Sequence, residues 1–172
     1  YDNPNYSYTY NDLNGITSFI SKGSDIAFSR GMICVASAGN SGASPDPFVG
    51  VPSDAITTLG IGAVKADETY ATFSSIGPTP DGRVKPDVMA QGQASVVSNT
   101  AGTVVTGSGT SFAGPIMAGA ITSFWQAVPS LTNQQVIDFV KQSADRFTNP
   151  TSQFGYGIPD FQAALNAALL TV

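Results

Sequence analysis

The stretch Gly107-Ser108-Gly109-Thr110-Ser111-Phe112-Ala113-Gly114-Pro115 constrains the fold most. It closes a β-rich segment and opens the run 116–128, which is apolar enough for a helix buried in a core. Ser111 then falls in the first turn of that helix. Unpaired backbone N–H groups and the positive end of the helix dipole there favour negative charge developing beside a hydroxyl that attacks a carbonyl. Pro115 fits a helix start, because the donor it lacks would have no intrahelical partner. The glycines let another backbone come close. Taken alone, the stretch reads equally well as a Gly/Ser turn that caps a buried helix.

A chain of 172 residues is the size of one domain, long enough to bury about 70% of the surface its unfolded form exposes. With 42% hydrophobic and 11% charged residues, 18 Gly and 11 Pro, it reads as a compact, loop-rich globular domain. Seven basic against twelve acidic residues argue against nucleic acid or an anionic membrane as partner. The sequence contains no signal peptide or membrane-spanning run. Because it opens on Tyr1, a longer precursor is expected, and the low lysine content and pI near 4.3 suggest an extracellular protein. Histidine is absent, so no mechanism that needs an imidazole base is completed by this chain's own residues. Cys34, alone in an apolar run, is expected to be a small buried hydrophobe, with no histidine to activate it.

In chain order, residues 1–11 form an extended loop, whose four tyrosines could line a peptide cleft or pack on a neighbouring element. Ile16, Phe19, Ile20, Ile26 and Ala27 mark a helical stripe over 12–30, ended by Gly31. Residues 32–38 are expected to be a strand buried on both faces of a parallel sheet. It delivers Asn40 to the carboxyl end of that strand, where open α/β sheets place ligand sites, though Asn also suits a plain Gly-rich turn. Residues 56–64 read as a central strand, and 86–90, 94–98 and 103–107 as short strands. Thr132 and Gln135 have capping-box spacing before a helix that carries Val136, Phe139 and Val140 on one face. Pro159-Asp160 opens a last helix to about residue 169. The pattern is α/β.

Gly109-Thr110-Ser111-Phe112-Ala113-Gly114-Pro115-Ile116-Met117-Ala118-Gly119 resembles the nucleophile motif of subtilisin-like serine proteases, G-T-S-x-A-x-P-x-x-A-G. Val35-Ala36-Ser37-Ala38-Gly39-Asn40 resembles the family's A-A-G-N segment. Thr72-Phe73-Ser74-Ser75-Ile76-Gly77-Pro78 with Lys85-Pro86-Asp87-Val88-Met89-Ala90 resembles its F-S-S-x-G and K-P-D-x-x-A run. The resemblance runs from about residue 15 to the C-terminus. It implies a three-layer α/β fold, a mostly parallel sheet flanked by helices with the N-terminal strands missing, so that 1–172 is a single partial peptidase domain.

The same resemblance implies that Ser111 is the nucleophile of a serine endopeptidase and that the Asn40 amide and the Ser111 N–H form the oxyanion hole. Ser37, Ala38, Gly39 and Thr110 would contact substrate, with room for a sizeable apolar side chain before the scissile bond. No cofactor is required; a structural calcium, which many members hold, would draw on Asp87 and the loop 53–58. Phe112 stands where the best-studied members carry Met, and Gly114 where Ser is common. In this family the triad order is Asp, His, Ser. Neither an H-G-T nor a D-S/T-G motif occurs here, and neither Asp2 nor Asp12 is assigned.

The expected partners are therefore a polypeptide substrate and the missing N-terminal part of the same domain. The chain by itself is expected to be inactive and to present a strand edge prone to association. The alternative is a non-catalytic subtilisin-like module that binds peptides or a partner. Serine-carboxyl peptidases need no histidine but place Asp where Asn40 stands. An α/β-hydrolase needs a histidine after its serine, and residues 112–172 contain none.

Overall fold

The computed structural model describes residues 7–171. At its centre three short parallel strands, β1 (Val35–Ser37), β2 (Leu59–Val64) and β3 (Val88–Gln91), lie side by side in that order. All six residues of β2 are buried. Successive side chains alternate between faces, so both faces of β2 are covered. The register Val35↔Leu59 and Ile61↔Val88 puts Val35, Leu59, Ile61, Ala63, Val88 and Ala90 on one face. There they meet Ala113, Met117 and Ile121 of α2 (Thr110–Ala127) in the main core. On the other face, a Cβ at Gly60 or Gly62 would come within 2.3 Å of Ser53 Oγ or 2.4 Å of Met89 Sδ. Glycine there lets neighbouring segments close down. Cys34, on this second face, reaches the Ser24 carbonyl of α1 (Phe19–Ser29) at 3.7 Å. Helix, sheet and helix make three layers, the α/β arrangement that the resemblance implies.

Beyond α2, α3 (Asn133–Gln142) and α4 (Phe161–Leu169) pack on it and on each other. Thr132 and Gln135 form the expected capping box, and Asp160 caps α4 by accepting from Gln162 N and Ala163 N, each at 2.9 Å. No helix among the described residues is long and apolar enough to cross a membrane.

Several expectations need correcting. The helix expected from residue 12 begins only at Phe19. Asn14 Oδ1 accepts from Ile16 N and Thr17 N, and Gly15, at φ +80°, donates its N–H to Asp54 Oδ2, so a side-chain-closed turn wins over the helix. The apolar stripe of α1 also faces outward, with Phe19 87% and Ile26 62% exposed. Its inward side is polar along most of its length, where Ser21 donates to Asp54 (2.6 Å) and Asp25 accepts from Thr57 N (2.9 Å), and only Phe28 near its end packs on the core. β1 is half-buried because it lies at the sheet edge, and Cys34 is half-buried with it.

β4 (Ser95–Ser98) and β5 (Val104–Gly107) pair antiparallel with each other, outside the parallel sheet. Asn99 Oδ1 gathers Ala101 N, Thr103 N and Thr103 Oγ1 into a tight turn, which suits a hairpin; a parallel return needs a crossover of a dozen or so residues. Of the four N-terminal tyrosines, Tyr1 and Tyr6 lie outside the described residues. Tyr8 is exposed, and the Tyr10 ring packs on Phe48 with centroids 4.0 Å apart.

Candidate active site

Two chain ends meet here, the carboxyl end of β1 and the amino end of α2. The first turn of a helix carries N–H groups without intrahelical partners. One of them, Thr110 N–H, donates to Asn40 Oδ1 at 2.9 Å, and Thr110 Oγ1 donates to the same oxygen at 3.0 Å. A backbone N–H can only donate, which fixes the Asn40 amide: Oδ1 faces the helix and Nδ2 faces away. Nδ2 lies 3.4 Å from where a Cβ on Gly109 would stand, beside the turn that carries Ser111. The structure thus brings Asn40 and Ser111 to one place.

Ser111 is exposed at the second position of α2. Its N–H has no acceptor among the described residues. Pro115 falls in the second turn of α2, not the first as the sequence suggests, and leaves the Ser111 carbonyl without its usual partner four residues on.

Thr110 joins the two ends. Besides its bonds to Asn40, its hydroxyl accepts from Gly39 N (3.2 Å) and its carbonyl accepts from Ser37 Oγ (3.0 Å). Expected to contact substrate, Thr110 is instead fully buried and spends its polar groups inside the protein. Ala38 is also fully buried, with its N–H donated to Ile61 O and its carbonyl accepting from Gly50 N, so it backs the site without lining it. Gly39 takes φ +115°, and a Cβ there would meet Ser75 Oγ at 2.7 Å. Ser75 Oγ accepts from Ser41 N and so holds the turn that carries Asn40. That role was readable in the F-S-S-x-G motif but not assigned from it.

Ser37, Ser111, Gly114, Pro115 and Ala118 line, with Val35, a groove of about 320 Å³ along β1. A Cβ at Gly114 would come within 3.1 Å of Ser37 Oγ, so Gly114 leaves room for the hydroxyl that Ser37 brings. Phe112 lies across Gly107, where a Cβ would be 2.5 Å from its Cζ.

The subtilase family model matches residues 4–158 of this chain. The chain belongs to the subtilase family. It is similar to subtilisin NAT of Bacillus subtilis subsp. natto, 36% identical over 141 residues that make up 81% of this chain and 35% of the relative. It is likewise similar to the subtilisin of Bacillus pumilus, 35% identical over 81% of this chain and 49% of the relative. The chain thus spans a third to a half of these relatives. The solved structure of the self-cleaved protease domain of PatA shares the fold at TM-score 0.73, with 23% identity over 86% of this chain and 54% of that one. The prenylagaramide maturation protease PagA does so at TM-score 0.72 and 22% identity.

In this subtilase the carboxylate expected to help hold calcium does not fit that role. Asp87 is buried, with Oδ2 accepting from Lys85 Nζ (2.6 Å) and Gly60 N (2.7 Å) and Oδ1 paired with Lys141 Nζ (2.5 Å). Burial alone would raise its pKa, but the two ammonium groups and their hydrogen bonds outweigh that and hold it below the ordinary carboxylate value. Lys141 arrives from α3, far along the chain, and no local pattern announced it.

Proposed function

We propose that this subtilase chain is the nucleophile-bearing part of a serine endopeptidase. The observation that supports it is the orientation of Asn40, whose Oδ1 is tied to Thr110 so that Nδ2 stays unspent beside Ser111. Ser111 Oγ attacks the carbonyl carbon of the scissile bond. Asn40 Nδ2 and the Ser111 N–H receive the oxyanion, the amine departs on protonation, and water then cleaves the acyl-enzyme. The histidine that accepts the Ser111 proton, and the aspartate that orients it, come from a segment outside this chain.

The sheet edge supports that partner. The β1 register leaves the peptide groups of Val35 and Ser37 unpaired, and α1 offers Phe19 and Ile26 to solvent. Ser37 and Gly39 would form one wall of the pocket for the residue before the scissile bond, with the other wall in the absent segment. Extracellular action, in line with the acidic, lysine-poor composition, is part of the same proposal.

Fluorophosphonate labelling tests it. A polypeptide extended upstream through H-G-T and D-S/T-G motifs should label at Ser111, and Ser111→Ala should abolish labelling. An extended polypeptide that stays unlabelled, or labels elsewhere, overturns the reading. An upstream coding sequence without both motifs favours a peptide-binding module.

A further inference from the structure

We propose that this chain closes its loop 53–58 with its own cations, Arg83 and Lys85, in place of a metal ion, and that calcium adds nothing to its stability. This stands apart from the catalytic reading and survives if that reading fails.

A calcium site is built from six to eight oxygens, many of them loop carbonyls and carboxylates free to turn inward. In this loop the carbonyls of Asp54, Ala55 and Thr58 and the Asp54 carboxylate are already engaged, while the buried hydroxyls of Ser53 and Thr58 have no protein partner. Arg83 Nη1 donates to the carbonyls of Asp54 (2.7 Å) and Ala55 (3.3 Å), and Lys85 Nζ donates to the carbonyl of Thr58 (2.6 Å). The Asp54 carboxylate is buried and accepts from Gly15 N (2.9 Å) and Ser21 Oγ (2.6 Å). Asp87 lies between Lys85 and Lys141. An arriving calcium ion would meet three fixed positive groups and have to displace at least two of them.

Arg83 is aimed at the loop by its own turn. Its N–H donates to Thr79 Oγ1 (3.0 Å), its carbonyl accepts from Thr79 N (3.1 Å), and Nε pairs with Asp81 (2.7 Å). A Cβ on Gly15 would stand 3.1 Å from Arg83 Nη2, so the guanidinium also abuts the segment leading into α1. One planar cation thereby ties the loop before β2 to the turn before β3 and packs against the approach to α1, with Nη2 itself left without a partner. The guanidinium reaches the two loop carbonyls through Nη1 and Asp81 through Nε at the same time, which a single lysine ammonium matches less well.

Thermal unfolding of the chain in millimolar calcium chloride and in EDTA tests this, with isothermal titration of calcium chloride alongside. The two melting curves should coincide and the titration should show no binding heat. Arg83→Ala should lower the midpoint by roughly 5–10 °C, from the loss of two charge-assisted hydrogen bonds, and Arg83→Lys should restore only part of it. A midpoint that rises with calcium, or stoichiometric binding to the wild-type chain, overturns the proposal. So does an Arg83→Ala chain that melts with the wild type. If Arg83→Ala does not fold, the wild-type titration and melting curves decide alone.

Discussion

Asp87 and Asn40 lie at opposite ends of one parallel sheet, Asp87 just before β3 and Asn40 just beyond β1. Both are held by hydrogen bonds from neighbouring segments, but to opposite effect. Around Asp87 every carboxylate oxygen is taken, by two ammonium groups and a backbone N–H, and Asp87 and Lys85 are buried while Lys141 reaches in from the surface. Around Asn40 one half of the amide is fixed and the other is left open to solvent beside an exposed hydroxyl. A buried charge must be saturated or it destabilises the fold, whereas a group that is to receive a reacting atom must be aimed and yet unspent. The contrast separates a saturated structural cluster from one that leaves a donor and a hydroxyl unspent.

The largest effect that could break this contrast is on the sealed side. Lys85→Met leaves Asp87 short of a partner it cannot replace with water, and urea denaturation should show a loss of about 3–5 kcal/mol. A loss below about 1 kcal/mol, the scale of a surface pair, would put Asp87 in the same class as an exposed carboxylate.

On the open side, Asn40→Ala should cost about 10²–10³ in kcat of the upstream-extended enzyme, a range itself taken from a subtilisin. Its urea midpoint should barely move, because Asn40 is exposed and the space its amide vacates admits water to the Thr110 N–H that loses its acceptor. If this variant proved as unstable as Lys85→Met, Asn40 would be a structural cap and the contrast would fail.

A smaller effect sharpens the comparison through pH. The Asp87 pKa is lowered on folding, so on acidification the unfolded chain takes up this proton first, near the ordinary value of about 3.9. Its contribution is complete above that pH and is lost as pH falls towards the folded value. Urea midpoints measured from neutral pH downward should therefore drop below pH about 4 in the wild type. Asp87→Asn should lack that part of the slope. An identical slope in both would assign the acid sensitivity to other carboxylates.

What could be read in advance was what depends on near neighbours. The capping box of Thr132 and Gln135, the Asp160 cap and the small-residue turn before α2 each close within a few residues, and each appears where expected. The positions of Ser111 and Asn40 were legible for the same reason, since a strand end and a helix start are local features. Pairing was not legible: β4 and β5 look like sheet strands, and only the Asn99 turn turns them towards each other. Nor was the facing of α1, whose apolar residues predict burial while Ser21 and Asp25 bind the loop beneath it. Lys141 reaching Asp87, and Thr110 facing inward, depend on segments brought together only by the fold.

The four hydrogen bonds made by Thr110 have a mechanical consequence. They weld a strand tip to a helix start, so the Asn40 amide and the Ser111 hydroxyl are expected to fluctuate as one rigid body. The hairpin of β4 and β5, or the turns that follow Asn40, can breathe without detuning that spacing. Relaxation measurements would find Gly39 and Thr110 as quiet as β2, even though Ser111 lies at the surface.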